Sequence, residues 1–251
     1  PSPHFLIKDS KILLHNSDKK KLIAEIKKLK VFIKQNNFFD KDNMNLKEVI
    51  AVNANFFLSR DVLDLLNNES NNKLSNKKIK INDSNIFLKN NLSETITIIK
   101  ISKALLFFDD GNLLNLSGEV FKIPFTADYE NQINLTRNKM FNIEAQKLRL
   151  NIFNKSNKTG QDSTSGKNII SFLNSKINTK YDVKEKLIIF KSNESRINNL
   201  QVDYNGELSI NPFDLDLNIY LDNYKTSKLF NINPILIELI KSGLLFNNNI
   251  S

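Results

Sequence analysis

The sequence predicts a mainly β protein with a few short helices: an elongated, repeat-like antiparallel sheet with one apolar face, either an open groove or sandwich-like. Three observations carry this. From Leu200 to Asp222 apolar and polar residues alternate, Leu200, Val202, Tyr204, Leu208 and Ile210 on even numbers, then Phe213, Leu215, Leu217, Ile219 and Leu221 on odd ones. Period two over that length is a strand with one apolar and one wet face. Two segments echo others further along, and helix signals are sparse.

The change of parity near Asn211 and Pro212 requires a turn or a bulge if all these side chains share a face. A two-residue hairpin loop shifts parity in this way, and a wider turn or a bent, bulged strand is equally open because Pro212 is awkward at a second loop position.

In chain order, Phe5 to Leu14 reads as strand, turn and strand, with Asp9 and Ser10 supplying the turn. Ser17 to Gln35 reads two ways: Leu22, Ile26, Leu29 and Ile33 have helical spacing, while Leu29, Val31 and Ile33 alternate, which favours a strand from about Ile26. Asn37 to Asn45 is a polar loop, Val49 to Leu58 is extended, and Ser59 caps a short helix through Leu66. Asn67 to Lys77 is a polar linker.

Lys80 to Asn90 forms another strand and repeats the start of the chain. Ile7-Lys-Asp9-Ser10 aligns with Ile81-Asn-Asp83-Ser84 at an offset of 74 residues. Gly118-Glu-Val120 with Pro124-Phe125 aligns with Gly206-Glu-Leu208 and Pro212-Phe213 at an offset of 88. In the earlier copy parity also changes, from Leu116, Gly118 and Val120 to Ile123, Phe125, Ala127 and Tyr129. Two such echoes argue for a repeated β-unit.

Ile96 to Phe108 is a long apolar strand, and Asp109 to Asn112 turns the chain into Leu113. Phe141 to Phe153 alternates with a one-residue slip, read as a bulge, and Asn154 to Lys167 has the composition of a mobile loop. Ile169 to Phe172 is ambiguous, and Leu187 to Phe190 is a strand. Asn233, Pro234 and Gly243 bracket a helix over Ile235 to Ser242. The domain reading is one elongated β-rich region over 1–251, with sub-repeats 1–76 and 77–222 and a helical connector 223–251.

Composition limits the chemistry. The net charge is +9, yet 32 of the 36 basic residues are lysine. Readers of nucleic acid set arginine forks beside aromatic platforms, a pattern absent here, so no nucleic-acid partner is expected. A general attraction to anionic membrane, at about 1 kcal/mol per lysine near lipid, fits the charge as well as nucleic acid does, and the favoured reading is simply a solvated surface. The 40 asparagines make much of the polar surface, Asn-x-Ser/Thr triplets included, compositional. Without cysteine there is no disulfide or thiolate site. No apolar run reaches the roughly 18 residues of a membrane span, and the supplied part has no signal peptide. The start at Pro-Ser-Pro suggests a fragment whose targeting segment lies before Pro1.

Gly160 to Asn168 imitates a phosphate loop, but has five residues between its glycines where the motif has four, and Asn168 where Ser or Thr must bind magnesium. With only His4 and His15, neither a Ser-His-Asp triad nor a histidine metal site has material. Asp109 with Asp110 reads as turn chemistry, and Asp214 with Asp216 as the wet face of a strand. The expectation is therefore no catalytic residue, no metal and no cofactor. What remains is the apolar stripe, either a dry core or an open groove for lipid chains; its candidate lining is Val120, Phe125, Val202, Leu208, Ile210, Phe213, Leu215, Leu217 and Ile219.

Ile81 to Leu88 leading into Ile98 to Phe108, Leu114-Asn-Leu-Ser-Gly118-Glu-Val, and Leu200 to Leu221 with its Tyr204-Asn-Gly206-Glu-Leu together resemble the AsmA-like family of bacterial envelope proteins. The resemblance covers Ile81 to Asp222. It implies a non-enzymatic, periplasmic, repeat-built β-groove, tethered to the inner membrane by a helix not in this fragment. Its partners would be phospholipid or another acyl-chain lipid and the membrane, and its role outer-membrane assembly or lipid transfer. The competing expectation is an exported structural or adhesive β-repeat protein with a closed dry core.

Overall fold

Alternating apolar residues commit a segment to one face of a sheet, and the chain does this along nearly its whole described length. The computed structural model describes residues 4–16, 19–33, 46–59, 62, 77–90, 92–108, 111–132, 138–160, 162–198, 200–210 and 212–221. The expected helix over Ile235 to Ser242, the connector 223–251, the loop Asn37 to Asn45, most of the linker before Lys77, and Asp109 with Asp110 lie outside them. The chain divides into two compact units, residues 1–147 and 148–251.

The first unit holds β1 (His4–Asn16), β2 (Lys19–Ile33), β3 (Leu46–Leu58), β4 (Lys77–Lys89), β5 (Thr95–Phe108), β6 (Gly111–Val120), β7 (Ile123–Gln132) and β8 (Asn138–Ala145), each beside the next in chain order. All neighbours are antiparallel except β3 and β4. The expected all-antiparallel sheet is thus corrected to a mixed one at this pair. A parallel step needs a crossover, and residues 59–76 provide the length for it. The second unit is an antiparallel meander of β9 (Leu150–Lys158), β10 (Ser163–Phe172), β11 (Ser175–Lys184), β12 (Leu187–Ile197), β13 (Leu200–Ile210) and β14 (Phe213–Leu221).

The short helix expected from Ser59 through Leu66 also lies outside the described residues, Ser59 and a helical Val62 excepted. Among the described residues the other helical element is a 3₁₀ turn at Gln146–Leu148. That 3₁₀ turn replaces the bulge expected within Phe141 to Phe153 and separates β8 from β9. Nor is Asn154 to Lys167 a loop: it is the end of β9, a short turn, and the start of β10, with Gly166 opposite both Ser156 and Tyr181. Small polar residues of β10 there are paired on both sides, by β9 and β11, so their weak strand propensity is overridden.

Asp9 and Ser10 do not turn the chain. β1 runs straight through them, with Asp9 in the left-handed region at φ 48°, and Asp83 of β4 and Asn53 of β3 do the same at 49° and 54°. Asp and Asn tolerate this conformation better than other residues with a Cβ. The ladder pairs resume on either side, Lys8 with Lys28 and Ser10 with Ile26, then Lys28 with Val52 and Ile26 with Ala54. A line of irregular pairing therefore crosses β1 to β5, ending where β5 carries one residue more than β6 between Ile101 and Lys103. It changes the parity of the apolar set within each strand, from Leu29, Val31 and Ile33 to Ile26, Ala24 and Leu22 in β2. That parity change produced the helical spacing seen there in the sequence; β2 is a strand from Lys19.

The echoes at 74 and 88 residues have distinct meanings. Asp9-Ser10 and Asp83-Ser84 occupy the same irregularity. Gly118 and Gly206 are both sites of close backbone approach, where a Cβ would lie 2.3 Å from the Lys100 carbonyl oxygen and 2.2 Å from that of Asp216. The following turns differ. Phe121 and Lys122, at φ 51° and 63°, connect Val120 to Ile123, whereas the later turn follows Ile210, which pairs with Phe213. Of the alternatives open near Pro212, the two-residue loop is the one formed.

Candidate functional site

Residues opposite one another across a ladder share a face, so the register places the stripe. In the first unit four rows run across the strands with almost no polar member. Phe5, Val31, Val49, Ile79, Leu106, Leu114, Tyr129 and Phe141 form one; Ile7, Leu29, Ala51, Ile81, Ala104, Leu116, Ala127 and Ile143 form the next. Beyond the irregular line lie Ile12, Ala24, Phe56, Ile86, Ile99, Val120 and Ile123. The row along the line itself contains Ser10, Ile26, Ala54, Ser84, Ile101, Gly118 and Phe125.

The second row alternates large and small from Leu29 onward. Ala51, Ala104 and Ala127 are buried, each between a leucine or isoleucine on either neighbouring strand. Large next to small fills space without overlap. Ala24, Ile26, Ala51 and Ala54 form the core cluster, with Leu29, Phe56 and Ile81 against it. Because the cluster takes residues from both sides of the irregular line, the apolar face continues across it.

Buried polar groups on that line are satisfied. The Ser84 hydroxyl accepts the Ala54 N–H at 3.0 Å and donates to the Asn82 carbonyl at 2.7 Å. The second unit repeats the device: Ser195 accepts the Asn178 N–H at 2.8 Å and lies 2.6 Å from the Ser192 hydroxyl, where the β12–β13 register shifts. A serine of this kind takes up a backbone donor that an irregular ladder would leave unpaired.

The stripe of the second unit is shorter. Tyr181, Phe190, Gly206 and Leu217 form one row; Val183, Ile188, Leu208 and Leu215 form another. Val202 faces Ser195 and Leu221 and is buried, Ile219 faces Tyr204, and Ile210 faces Phe213. Val120 and Phe125 stand in the first unit, in separate rows, so the candidate lining residues fall into two sets, one per unit. Leu208 and Leu217 are half-buried, whereas Ile210 and Phe213 are 63% and 72% exposed at the turn.

Among the described elements each strand packs on the strands beside it in the ladder. Most leucines and isoleucines of the rows stay partly exposed, Ile7 and Ile12 at 45% and 41%, while Ile26, Ile33 and Ile101 are buried. Tyr129, between Leu114 and Phe141 in its row, has its hydroxyl pKa raised by burial.

The residues weighed for chemistry are dispersed. His4 stacks on Phe32 at 4.9 Å, Asp214 and Asp216 sit opposite Ser209 and Glu207 on the wet face of β14, and Gly166 and Lys167 are strand residues that form no loop. Among the described residues no group of three acids or histidines is placed to hold a metal. Sequence reading missed the alternating row and the satisfying serines. The alanines at 51, 104 and 127 were its only local mark, and their alignment requires the register. No protein-family model matches the chain, and no curated protein matches it.

Proposed function

We propose that the chain is a non-enzymatic lipid-handling segment that binds acyl chains along the apolar faces of its sheets. The observation that carries this is the set of four apolar rows whose large side chains stay mostly part-exposed, Phe5, Ile7 and Ile12 among them. Burying a chain of about 15 methylenes releases on the order of 12 kcal/mol gross, at about 0.8 per methylene, so the apolar contact, not the lysines, sets the affinity. Placement in the bacterial envelope, as an AsmA-like protein of the periplasm tethered to the inner membrane and serving outer-membrane assembly, follows from the family resemblance alone and belongs to the same proposal.

The test is extraction of the purified chain for lipid by mass spectrometry, with uptake of a fluorescent fatty acid. Bound acyl lipid and saturable uptake are the expected results. Leu215→Asp and Leu217→Asp decide between groove and dry core. An open face loses bound lipid from the second unit while its β circular dichroism persists. A closed structural β-protein instead unfolds, and a wild-type chain free of lipid that takes up no probe sinks the proposal.

A further inference from the structure

The face of the first sheet opposite the apolar rows has its own pattern. Across β1 to β5 one row reads Leu6, Lys30, Ile50, Lys80, Leu105, alternating aliphatic and lysine. The row beside it holds Lys8, Lys28 and Lys103, with Lys8 directly opposite Lys28, and the third holds Lys78 between Glu48 and Phe107. In these three rows six lysines meet one carboxylate, Glu48, which pairs with Lys80 at 2.7 Å, whereas beyond the irregular line Lys11 is paired with Glu25 at 3.3 Å and Lys100 with Glu119 at 3.4 Å. On β6 to β8 the same face turns acidic, with Glu119, Asp128, Glu130 and Glu144. The positive charge is therefore gathered on five strands, not spread over the unit.

Like charges facing each other across a ladder repel, and that repulsion is relieved by an anionic surface. We infer that this lysine-rich face of β1 to β5 docks on an anionic phospholipid bilayer. Three features favour lipid over nucleic acid. β1 to β5 contain no arginine to fork phosphates or base edges. Aliphatic side chains alternate with the lysines, and Leu6 is 48% exposed. Lysine stems beside aliphatic groups suit the boundary between headgroup and acyl chain, where the ammonium reaches phosphate while the stem stays apolar. The inference is independent of the acyl-chain proposal, since it uses the opposite face.

The experiment is sedimentation of the full chain with vesicles of phosphatidylcholine alone and of phosphatidylcholine with phosphatidylglycerol at 3:1. Binding is expected only to the mixed vesicles, and it is expected to weaken as salt is raised to 0.5 M. Lys8→Glu, Lys28→Glu and Lys103→Glu together should weaken it by about 100-fold or more, each lysine near lipid contributing about fivefold. A control with the same change of net charge, Lys122→Glu, Lys147→Glu and Lys186→Glu, should stay within about threefold of wild type. Circular dichroism of both variants shows that they fold. The inference is overturned by equal binding to both vesicle types, by no binding, by equal loss in the control, or by tighter binding to a single-stranded oligonucleotide that the first triple variant abolishes. Lipid bound on the apolar face is read separately, by fatty-acid uptake, which the lysine variants leave unchanged.

Discussion

At Ser84 a hydroxyl takes the place of a missing ladder acceptor, receiving the Ala54 N–H at 3.0 Å. Ser84→Ala leaves that buried donor unpartnered, and urea unfolding should show a loss of about 1–3 kcal/mol. Ser10 holds the equivalent place in the 74-residue echo, but its hydroxyl makes a longer bond, 3.4 Å to the Ile26 carbonyl. Ser10→Ala should therefore stay within about 0.5 kcal/mol of wild type. Tyr129 supplies a pH test. Burial raises its folded pKa above the ordinary 10.0, so its contribution is complete below pH 10 and is lost as pH rises through the raised value. Tyr129→Phe should unfold less steeply in alkali than wild type, read as the urea midpoint between pH 9 and 11. Equal slopes would show that its ionisation does not matter.

At the scale of the strand, the left-handed residue decides which side chains reach the apolar face. Asp83 holds φ 49° in the middle of β4. Asp83→Gly should leave stability unchanged or slightly higher, whereas Asp83→Val, a branched residue in that conformation, should lose about 1–2 kcal/mol. If both lose the same amount, the Asp83 side chain matters for another reason. The strands themselves were largely legible: Val49 to Leu58, Ile96 to Phe108 and Leu200 to Leu221 all lie in strands. The failures cluster where parity changes. At Asp9 a left-handed residue carries the sequence mark of a turn, at Lys27 a parity change leaves helix and strand both open with strand favoured, and at Gln146 a 3₁₀ turn carries the mark of a bulge.

For the molecule as a whole, the consequence is two units, each with apolar rows whose large side chains stay mostly part-exposed. A ligand that binds only the folded state stabilises it by about 2.7 kcal/mol at a hundredfold excess over Kd. For a chain of this size that raises the thermal midpoint by roughly 5–10 °C. Titrating the full chain with a long-chain fatty acid should show this rise, and a short-chain acid with too few methylenes should not. A midpoint indifferent to chain length would argue for a dry interior. The alternation of the residues proposed as lining was legible residue by residue, because each lies on a stripe of period two. Its division between units was not, because Val120 and Phe125 share their local pattern with Leu208 and Phe213 while standing in different units.

The sequence by itself determined that this is a β protein, where most strands run, and which side chains share a face within each unbroken run of alternation, because alternation is a local property of extended backbone. Only the tertiary structure decided the order of the strands, the single parallel step between β3 and β4, and the stacking of Ala51, Ala104 and Ala127 between larger neighbours. The reason is physical. A change of parity has the same sequence mark whether a hairpin, a left-handed residue or a 3₁₀ turn causes it, and hydrogen bonds to the neighbouring strand select among them.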